Sequence, residues 1–391
     1  MNTIGRTIED GATKWQSVVA RIESEFAAGD YSAGGSFPTL RALCERHGIS
    51  NTTGRRVVQE MKSRGYIAAR GRAGTRVLRT SQQRQPVYLC LRSETLQGGG
   101  GVLASVHFIH EFMAGFAASE AGRLFELVPL SSDFLISHLD RFAGCPVLMS
   151  ASVVMQVKDG RAQIDQPLAD RLHARLQPIF FHGFPGLTGV IQIGTDLHAS
   201  LAVPVRHLVQ QGHTRIGLVL GDTRGIWYQA RLQGYLDTLH EAGIGFAPER
   251  VAILAGPADA AAGTAELDHL LAPASDITAV ACATDRHALA VLERCHRRGI
   301  RVPDDLAVTG SDDIPEASLS LPPLTSVNGR DRDKGAFAAE LLQRRLGGEV
   351  LAPVVHTFEP RLIVRESSGA AAAEPGESPP AVACSCTKQV G

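Results

Sequence analysis

The 391-residue sequence predicts a multidomain protein, a small α+β head of three helices and a hairpin followed by an α/β body built on parallel sheet. Three observations carry this. The chain is too long for one ordinary domain, and with 44% hydrophobic residues it can bury a sizeable core. Its net charge of −1 conceals a strong asymmetry, because the segment from Lys14 to Thr80 holds twelve Lys and Arg against five acids, a surplus of seven. Beyond Arg215, apolar strand-like runs alternate regularly with helical patterns, the signature of a parallel sheet with crossover helices.

In the head, Trp15, Val18, Val19, Ile22 and Phe26 recur at helical spacing and make one face of an amphipathic first helix that ends near Gly29. Thr39 is placed to cap a short second helix with Leu40, Leu43 and Cys44 inward, and Gly48 to stop it. Ser50 caps a third helix, His47 to Arg64 in outline, which Gly65 can end in the left-handed conformation. Thr53, Val57, Val58 and Met61 give it a buried stripe, leaving Asn51, Thr52, Arg55, Arg56, Gln59 and Lys62 outward. That face is either solvated surface or a polyanion-reading surface. Two short alternating runs, Tyr66–Ala69 and Thr75–Leu78, flank a glycine-bearing tip that carries Arg70 and Arg72. Three helices and a hairpin make a winged helix-turn-helix, and its positive charge suits DNA.

The segment from Gly29 to Val77 resembles the GntR-family DNA-binding domain along its full length. The resemblance rests on Phe37-Pro-Thr-Leu-Arg41, Ile49-Ser-Asn-Thr-Thr53 and the Gly-rich wing from Arg70 to Gly74. It implies a DNA-facing set of Arg41, Ser50, Asn51, Thr52, Arg55 and Arg56, with Gly71 and Arg72 on the wing. Arg can pair bidentately with guanine and Asn with adenine, while Ser and Thr reach phosphate oxygens. Two residues depart from the family pattern. Asn51 stands where Arg is common, which implies a different base preference or one lost phosphate contact. Gly54 replaces a Val or Leu at a propensity cost of about 1 kcal/mol relative to Ala, so either the helices pack unusually close there or the module is soft.

After a polar linker, residues 79–85, a strand from Val87 to Leu91 leads to Gly98–Gly101 and a helical pattern from Val102 to about Glu120. This loop lacks the third glycine of a dinucleotide fingerprint and any Gly-Lys-Ser/Thr of a nucleotide loop. Further strands are expected at Ile216–Leu220, Val251–Leu254, Thr278–Ala283 and Leu306–Thr309, with helices near Ile226–Ala242, Asp259–Leu271 and Asp285–Arg298. Ligands of such sheets bind beyond the strand carboxyl ends, where Asp222, Thr284, Asp285, Asp312 and Asp313 fall, although Thr284 or Asp285 could equally cap a helix.

From about Asp196 to Ser367 the sequence is similar to the LacI/GalR effector domain. The similar stretches include His207–Gly217, Ala230–Tyr235, Ala281–Asp285, Arg301–Asp313, Leu321–Thr325 and Arg361–Ser367. The resemblance implies the two-lobed periplasmic-binding-protein fold, with crossings near Gly194–Asp196, Val327 and Thr357, and an effector pocket holding Arg231, Thr284, Asp285 and Asp312 from the second lobe. Trp227, one turn before Arg231, is either core or a platform for an apolar sugar face. Arg92, Ser93 and His182 follow expected first-lobe strands and complete the effector set. Carboxylates that accept from vicinal hydroxyls, beside Arg and Thr donors, suit a sugar or related metabolite.

The resulting domain plan is a flexible N-terminus, residues 1–13, a winged helix-turn-helix over 14–78, the linker 79–85, an effector domain over 86–368 and a disordered tail 369–391. Lobe one takes about 86–195 and 328–356, and lobe two about 196–327 and 357–368. The expected protein is a cytoplasmic homodimer that binds double-stranded operator DNA and a small-molecule effector, most simply as a repressor. No catalytic residue, metal or cofactor is expected. The seven cysteines have no metal-ligand spacing, Cys384 and Cys386 alone cannot complete a zinc site, and Cys44, Cys90, Cys282 and Cys295 read as buried thiols. No apolar run reaches membrane-spanning length, and acidic residues stand where a signal peptide needs an apolar core. The competing readings are a solute-binding protein and an enzyme that uses Asp285 and Asp312 as an acid/base pair.

Overall fold

Thr39 and Ser50 start the second and third helices of the head as their residue types predict. The computed structural model, which describes residues 14–32, 34–69, 74–78, 84–92, 103–158, 161–183, 186–221, 226–254 and 264–369, contains helices α1 (Lys14–Ala28), α2 (Leu40–His47) and α3 (Asn51–Ser63) and strands β1 (Ile67–Ala69) and β2 (Thr75–Val77). The Thr39 hydroxyl accepts from Ala42 N–H and the Ser50 hydroxyl from Thr53 N–H, satisfying donors that a helix start leaves unpaired. Gly48 and Gly65 take the left-handed conformation beyond the two C-termini. β1 and β2 pair antiparallel with Ile67 opposite Val77.

The core of the head is one cluster in which Val19, Ile22, Phe26, Leu43, Val57, Met61, Ile67 and Val77 are almost wholly buried. Phe26 packs against Tyr31 and Tyr66 at ring separations of 4.5 and 4.8 Å. The buried stripe of α3 is Gly54, Val57 and Met61, with Val58 only half-buried against the same cluster. Gly54 is buried while Thr53 is only half-buried, because α2 crosses α3 at the glycine. A Cβ on Gly54 would stand 2.5 Å from Cys44 Sγ and 3.0 Å from Leu40 Cδ1. Close helix packing is therefore what Gly54 provides. Arg64 ties α3 to α1, its Nη1 lying 3.0 Å from Glu23 Oε1 and its Nε 2.8 Å from Glu60 Oε1.

The body follows as β3 (Gln85–Leu91), α4 (Leu103–Ala118), β4 (Phe125–Ser131), α5 (Ser132–Ser137), β5 (Val147–Ser150), the hairpin β6 (Met155–Lys158) and β7 (Arg161–Ile164), α6 (Gln166–Leu176), β8 (Ile179–Phe181) and β9 (Ile191–Thr195). It continues with α7 (Ala199–Gln210), β10 (Ile216–Leu220), α8 (Ile226–Glu241), β11 (Val251–Ile253), α9 (Thr264–Leu270), β12 (Ala279–Cys282), α10 (Asp285–Arg298), β13 (Ala307–Thr309) and α11 (Pro315–Leu319). Then come β14 (Ser326–Asn328), α12 (Asp331–Leu346), β15 (Val355–Phe358) and β16 (Arg361–Ile363).

Two main sheets result. One has the order β15-β9-β8-β5-β3-β4, with β15, β9, β8 and β5 paired in parallel; the other has the order β11-β10-β12-β13, wholly parallel. Every residue of β10 and β12 is buried, as a parallel sheet covered by helices on both faces requires. The chain passes from β9 directly into α7, and β14 pairs antiparallel with β16. The C-terminal α/β part is thus two-lobed. By contact density, the head through Tyr88 clusters with residues 114–128 and 335–352, and residues 89–113, 129–334 and 353 onward form a second compact unit.

Candidate functional site: a cleft between strand ends and an exposed helix face

The second compact unit contains a cavity of about 530 Å³ at the carboxyl ends of both parallel sheets. That volume lies in the ordinary range for small-molecule sites. Arg92 lines it from just past β3, and its guanidinium donates to the carbonyls of Ser152 and Met155. His182, just past β8, lines it with φ of 53° and packs edge-on against Phe108 and Phe181. Trp227 and Arg231, one turn apart on α8, both reach the cavity. Ser93 and Asp222 lie outside the described residues, as does the Gly98–Gly101 loop.

At the second-lobe wall Arg231 donates to Ser200 Oγ at 3.2 Å and to Asp312 Oδ1 at 3.3 Å. Burial lifts the Asp312 carboxyl to about 8, against the opposing pull of Arg231. This acid can therefore donate as well as accept a hydrogen bond near neutral pH. Thr284 both lines the cavity and caps α10, accepting from His287 N–H. Capping and cavity roles thus coincide in one hydroxyl.

Asp285 does not face the cavity, contrary to expectation. As the first residue of α10 its carboxylate turns behind the strand ends, accepting from Ser326 Oγ at 2.5 Å and Ile314 N–H at 2.9 Å with no exposure. A Cβ on Gly310 would fall 2.2 Å from its Oδ1, so the strand end closes over it. Burial raises this carboxyl to about 6, and its bonds to Ser326 and Ile314 hold it down. Its geometry is that of a staple between α10, β14 and the α11 start.

Several lining residues had no counterpart in the sequence reading. Ser150, Thr195 and Ser311 sit at or just beyond the ends of β5, β9 and β13, where the strand-end rule alone would have found them. Asp331 and Lys334, on the first turn of α12, also line the cavity, and no local motif marks them. Lys334 Nζ stands 2.7 Å from Asp331 Oδ1 and donates to Thr195 Oγ1 at 2.7 Å. Burial raises the Asp331 carboxyl, but Lys334 and His182 more than offset this and hold it well below the usual carboxylate range. Among the described residues no group of three or more His, Cys, Asp or Glu side chains is arranged to hold a metal ion. Cys90, Cys282 and Cys295 are buried free thiols, whereas Cys44, expected to be buried, is a half-buried thiol on the α2 side of the glycine crossing.

In the head, Asn51, Thr52, Arg55 and Arg56 of α3 are exposed. The Arg56 guanidinium lies over the Trp15 ring, 4.5 Å from its centre. Arg41 is exposed and pairs with Glu45 at 2.8 Å, an interaction of at most about 1 kcal/mol that a phosphate can displace. Ser50 serves the helix start through its hydroxyl. Gln59, expected on the free face, donates to the carbonyl of Gly347, and Lys62 is half-buried. Gly71 and Arg72 lie outside the described residues.

Residues 14–77 match the model of the gntR family of bacterial regulatory proteins, and residues 205–368 match the periplasmic binding protein-like domain. The chain joins a GntR-type head to a periplasmic-binding-protein-like body. It is 32% identical over 216 residues to the HTH-type transcriptional regulator MalR of Streptomyces coelicolor, 54% of this chain and 62% of that protein. It is 37% identical over 162 residues to the HTH-type transcriptional regulator CelR of Thermobifida fusca, 41% of this chain and 47% of that protein. The chain thus spans about half to three-fifths of the length of these relatives. Among solved structures, a transcriptional regulator CelR–cellobiose complex aligns with TM-score 0.58 and 24% identity over 92% of this chain and all of that one. A transcription regulator GntR from Chromobacterium violaceum aligns with TM-score 0.57 and 25% identity over 73% of this chain and all of that one.

The match to the gntR family model covers every described residue that the sequence analysis assigns to DNA. The periplasmic-binding-protein-like match covers Trp227, Arg231, Thr284, Asp312, Asp331 and Lys334, while Arg92, His182 and Thr195 come from the part before it. One cavity therefore draws on both matched and unmatched sequence.

Proposed function

We propose that the chain is a DNA-binding transcriptional regulator, acting as a repressor, whose affinity for a two-fold operator changes when a sugar or sugar-like effector fills the cavity. The observation that carries this reading is the union, in one polypeptide, of an exposed donor-rich α3 in a GntR-type head with a cavity walled by the Arg231–Asp312 pair, serine and threonine hydroxyls and aromatic rings. The names of the similar regulators, and the cellobiose named with one aligned structure, support it. On this reading Arg41, Ser50, Asn51, Thr52, Arg55, Arg56, Gly71 and Arg72 serve DNA, and Arg92, Ser93, His182, Trp227, Arg231, Thr284 and Asp312 serve the effector. The domain limits are those given by the sequence, 14–78 for the head and 86–368 for the body. The protein works in the cytoplasm as a homodimer and catalyses no reaction.

Selection of the full chain against a random duplex library tests the DNA half. The expected product is a two-fold site with half-sites about one helical turn apart or a multiple of that. No enrichment over random DNA at matched salt overturns the reading.

A further inference from the structure

Asp312 and Asp313 are adjacent, and both have positive φ, 122° and 51°. Residues other than glycine rarely adopt this conformation, and where they do the surroundings hold them in it, often beside a ligand. The surroundings here are β14 and the end of β16. Beyond β13 the chain runs alongside β14, with Gly310 N–H donating to the Thr325 carbonyl and Asp312 N–H to the Val327 carbonyl, each at 2.8 Å. Asp313 N–H donates to Ser326 Oγ at 3.0 Å. The Asp313 carboxylate is then gripped from the ends of both strands. Its Oδ1 accepts from Arg365 Nη2 at 2.6 Å, just past β16, and its Oδ2 accepts at 2.9 Å from Nδ2 of Asn328, the last residue of β14. Arg365 is fixed in turn by donating through Nη1 to the Leu324 carbonyl at 2.7 Å.

Of the two acids, Asp312 lines the cavity and meets Arg231, whereas Asp313 is not a lining residue and spends both carboxylate oxygens on the strands. Relaxation of either φ to the ordinary negative range would turn the Asp312 carboxyl away from Arg231, so the grip on Asp313 maintains the direction of the acid beside it. We infer that Asp313 is a positioning residue for the effector: without touching the ligand it sets effector affinity by holding Asp312, with Arg365 and Asn328 as its anchors on the β14–β16 pair. The inference rests on the effector reading proposed above and adds to it a residue outside the cavity. The grip needs a carboxylate, because two donors converge on its two acceptors; an amide would set its own N–H group against one of them.

Titration calorimetry of glucose, galactose, maltose and cellobiose into the full chain gives the best-binding probe, which is then titrated into variants. Asp313→Asn should bind it at least tenfold more weakly, because the new amide N–H group faces the Asn328 donor. The exchange Asp313→Asn with Asn328→Asp should recover affinity to within threefold of wild type, since the amide at 313 then donates to the carboxylate at 328 and still accepts from Arg365. In an Asp312→Ala background no acid remains to be held, and adding Asp313→Asn should weaken binding less than threefold. The sugar-induced rise in melting midpoint reads affinities too low for calorimetry. A role confined to stability would lower the midpoint without sugar and leave these affinities unmoved. Circular dichroism checks folding; should Asp313→Asn not fold, Asn328→Ala, which removes one of the two anchors, replaces it in both backgrounds. An affinity within twofold of wild type overturns the inference, as does an equal loss in the wild-type and Asp312→Ala backgrounds, and wild-type sugar binding then leaves the effector reading standing. Failure of the wild type to bind any of the four sugars overturns both.

Discussion

Arg231 and Arg55 do opposite kinds of work with the same side chain. Arg231 is 13% exposed and its charge is engaged by Asp312, whereas Arg55 is exposed and has no hydrogen bond or ion pair among the described residues. Their substitutions should therefore separate the two halves of the protein's activity. Arg231→Met removes a charge-assisted donor worth about 1.5 to 3 kcal/mol, so sugar affinity should fall at least tenfold while operator affinity without sugar is kept. Arg55→Ala should weaken operator binding and flatten its salt dependence by about one unit of slope, leaving sugar affinity unchanged. Calorimetry and fluorescence anisotropy on both variants check the pair of outcomes. If either substitution moves both affinities equally, the division of labour is wrong.

Among the elements, the α2–α3 crossing is the one most dependent on a single residue. Gly54 lets α2 approach so closely that any Cβ meets Cys44 Sγ and Leu40 Cδ1. Gly54→Val adds branched bulk at that contact and should cost about 1 to 3 kcal/mol by overpacking, read as a lower melting midpoint of the head and weaker DNA binding. Adding Cys44→Ala should recover part of the loss, because it removes the atom in closest conflict. A double variant no more stable than the single one would contradict the close-packing account. The glycine's reason was only half legible in the sequence, since propensity announces its cost but not the neighbour that demands it.

The same boundary separates what the other elements disclosed from what they did not. α1 could be read from its five apolar positions, and β10 and β12 from unbroken apolar runs, because burial of one face or both writes a local period. α10 could be read to its end residues because Thr284 and Gly299 are local signals. Asp285 was misplaced because the first residue of a helix beyond a strand can point into a cleft or behind it, and the choice depends on Gly310, Ile314 and Ser326, which arrive later in the chain. Asp331 and Lys334 were invisible for a similar reason. Their wall exists only because Thr195 lies 139 positions away in sequence and in contact in space.

For the whole molecule, histidines with lowered pKa values oppose folding as pH falls, and the raised Asp285 and Asp312 carboxyls favour it. Burial lowers His207 and His213, and lowers His287, which packs beside Thr284, to about 4. A histidine depressed in the folded state takes up its proton more readily when unfolded, so its stabilising contribution is complete above about pH 6.5 and is lost as pH falls toward 4. For His287 this is on the order of 3 kcal/mol. Because the raised Asp285 and Asp312 carboxyls gain stability as pH falls, the histidine contribution is read as a difference: the melting midpoint of the wild type relative to His287→Asn should fall between pH 6.5 and 4.5. A difference between the two proteins that is independent of pH across this range would contradict the assignment. No helix among the described residues is long and apolar enough to cross a membrane.

The central claim is that one polypeptide couples the cavity to the DNA-reading face, and coupling requires the sugar to favour one state of the protein over the other. Anisotropy titration of the full chain onto its selected operator duplex, with and without a saturating neutral sugar that binds by calorimetry, measures this at one salt concentration. The account predicts a change in operator affinity of about 5- to 150-fold, the range of ordinary allosteric coupling. An operator affinity that stays the same when the cavity is full would contradict it.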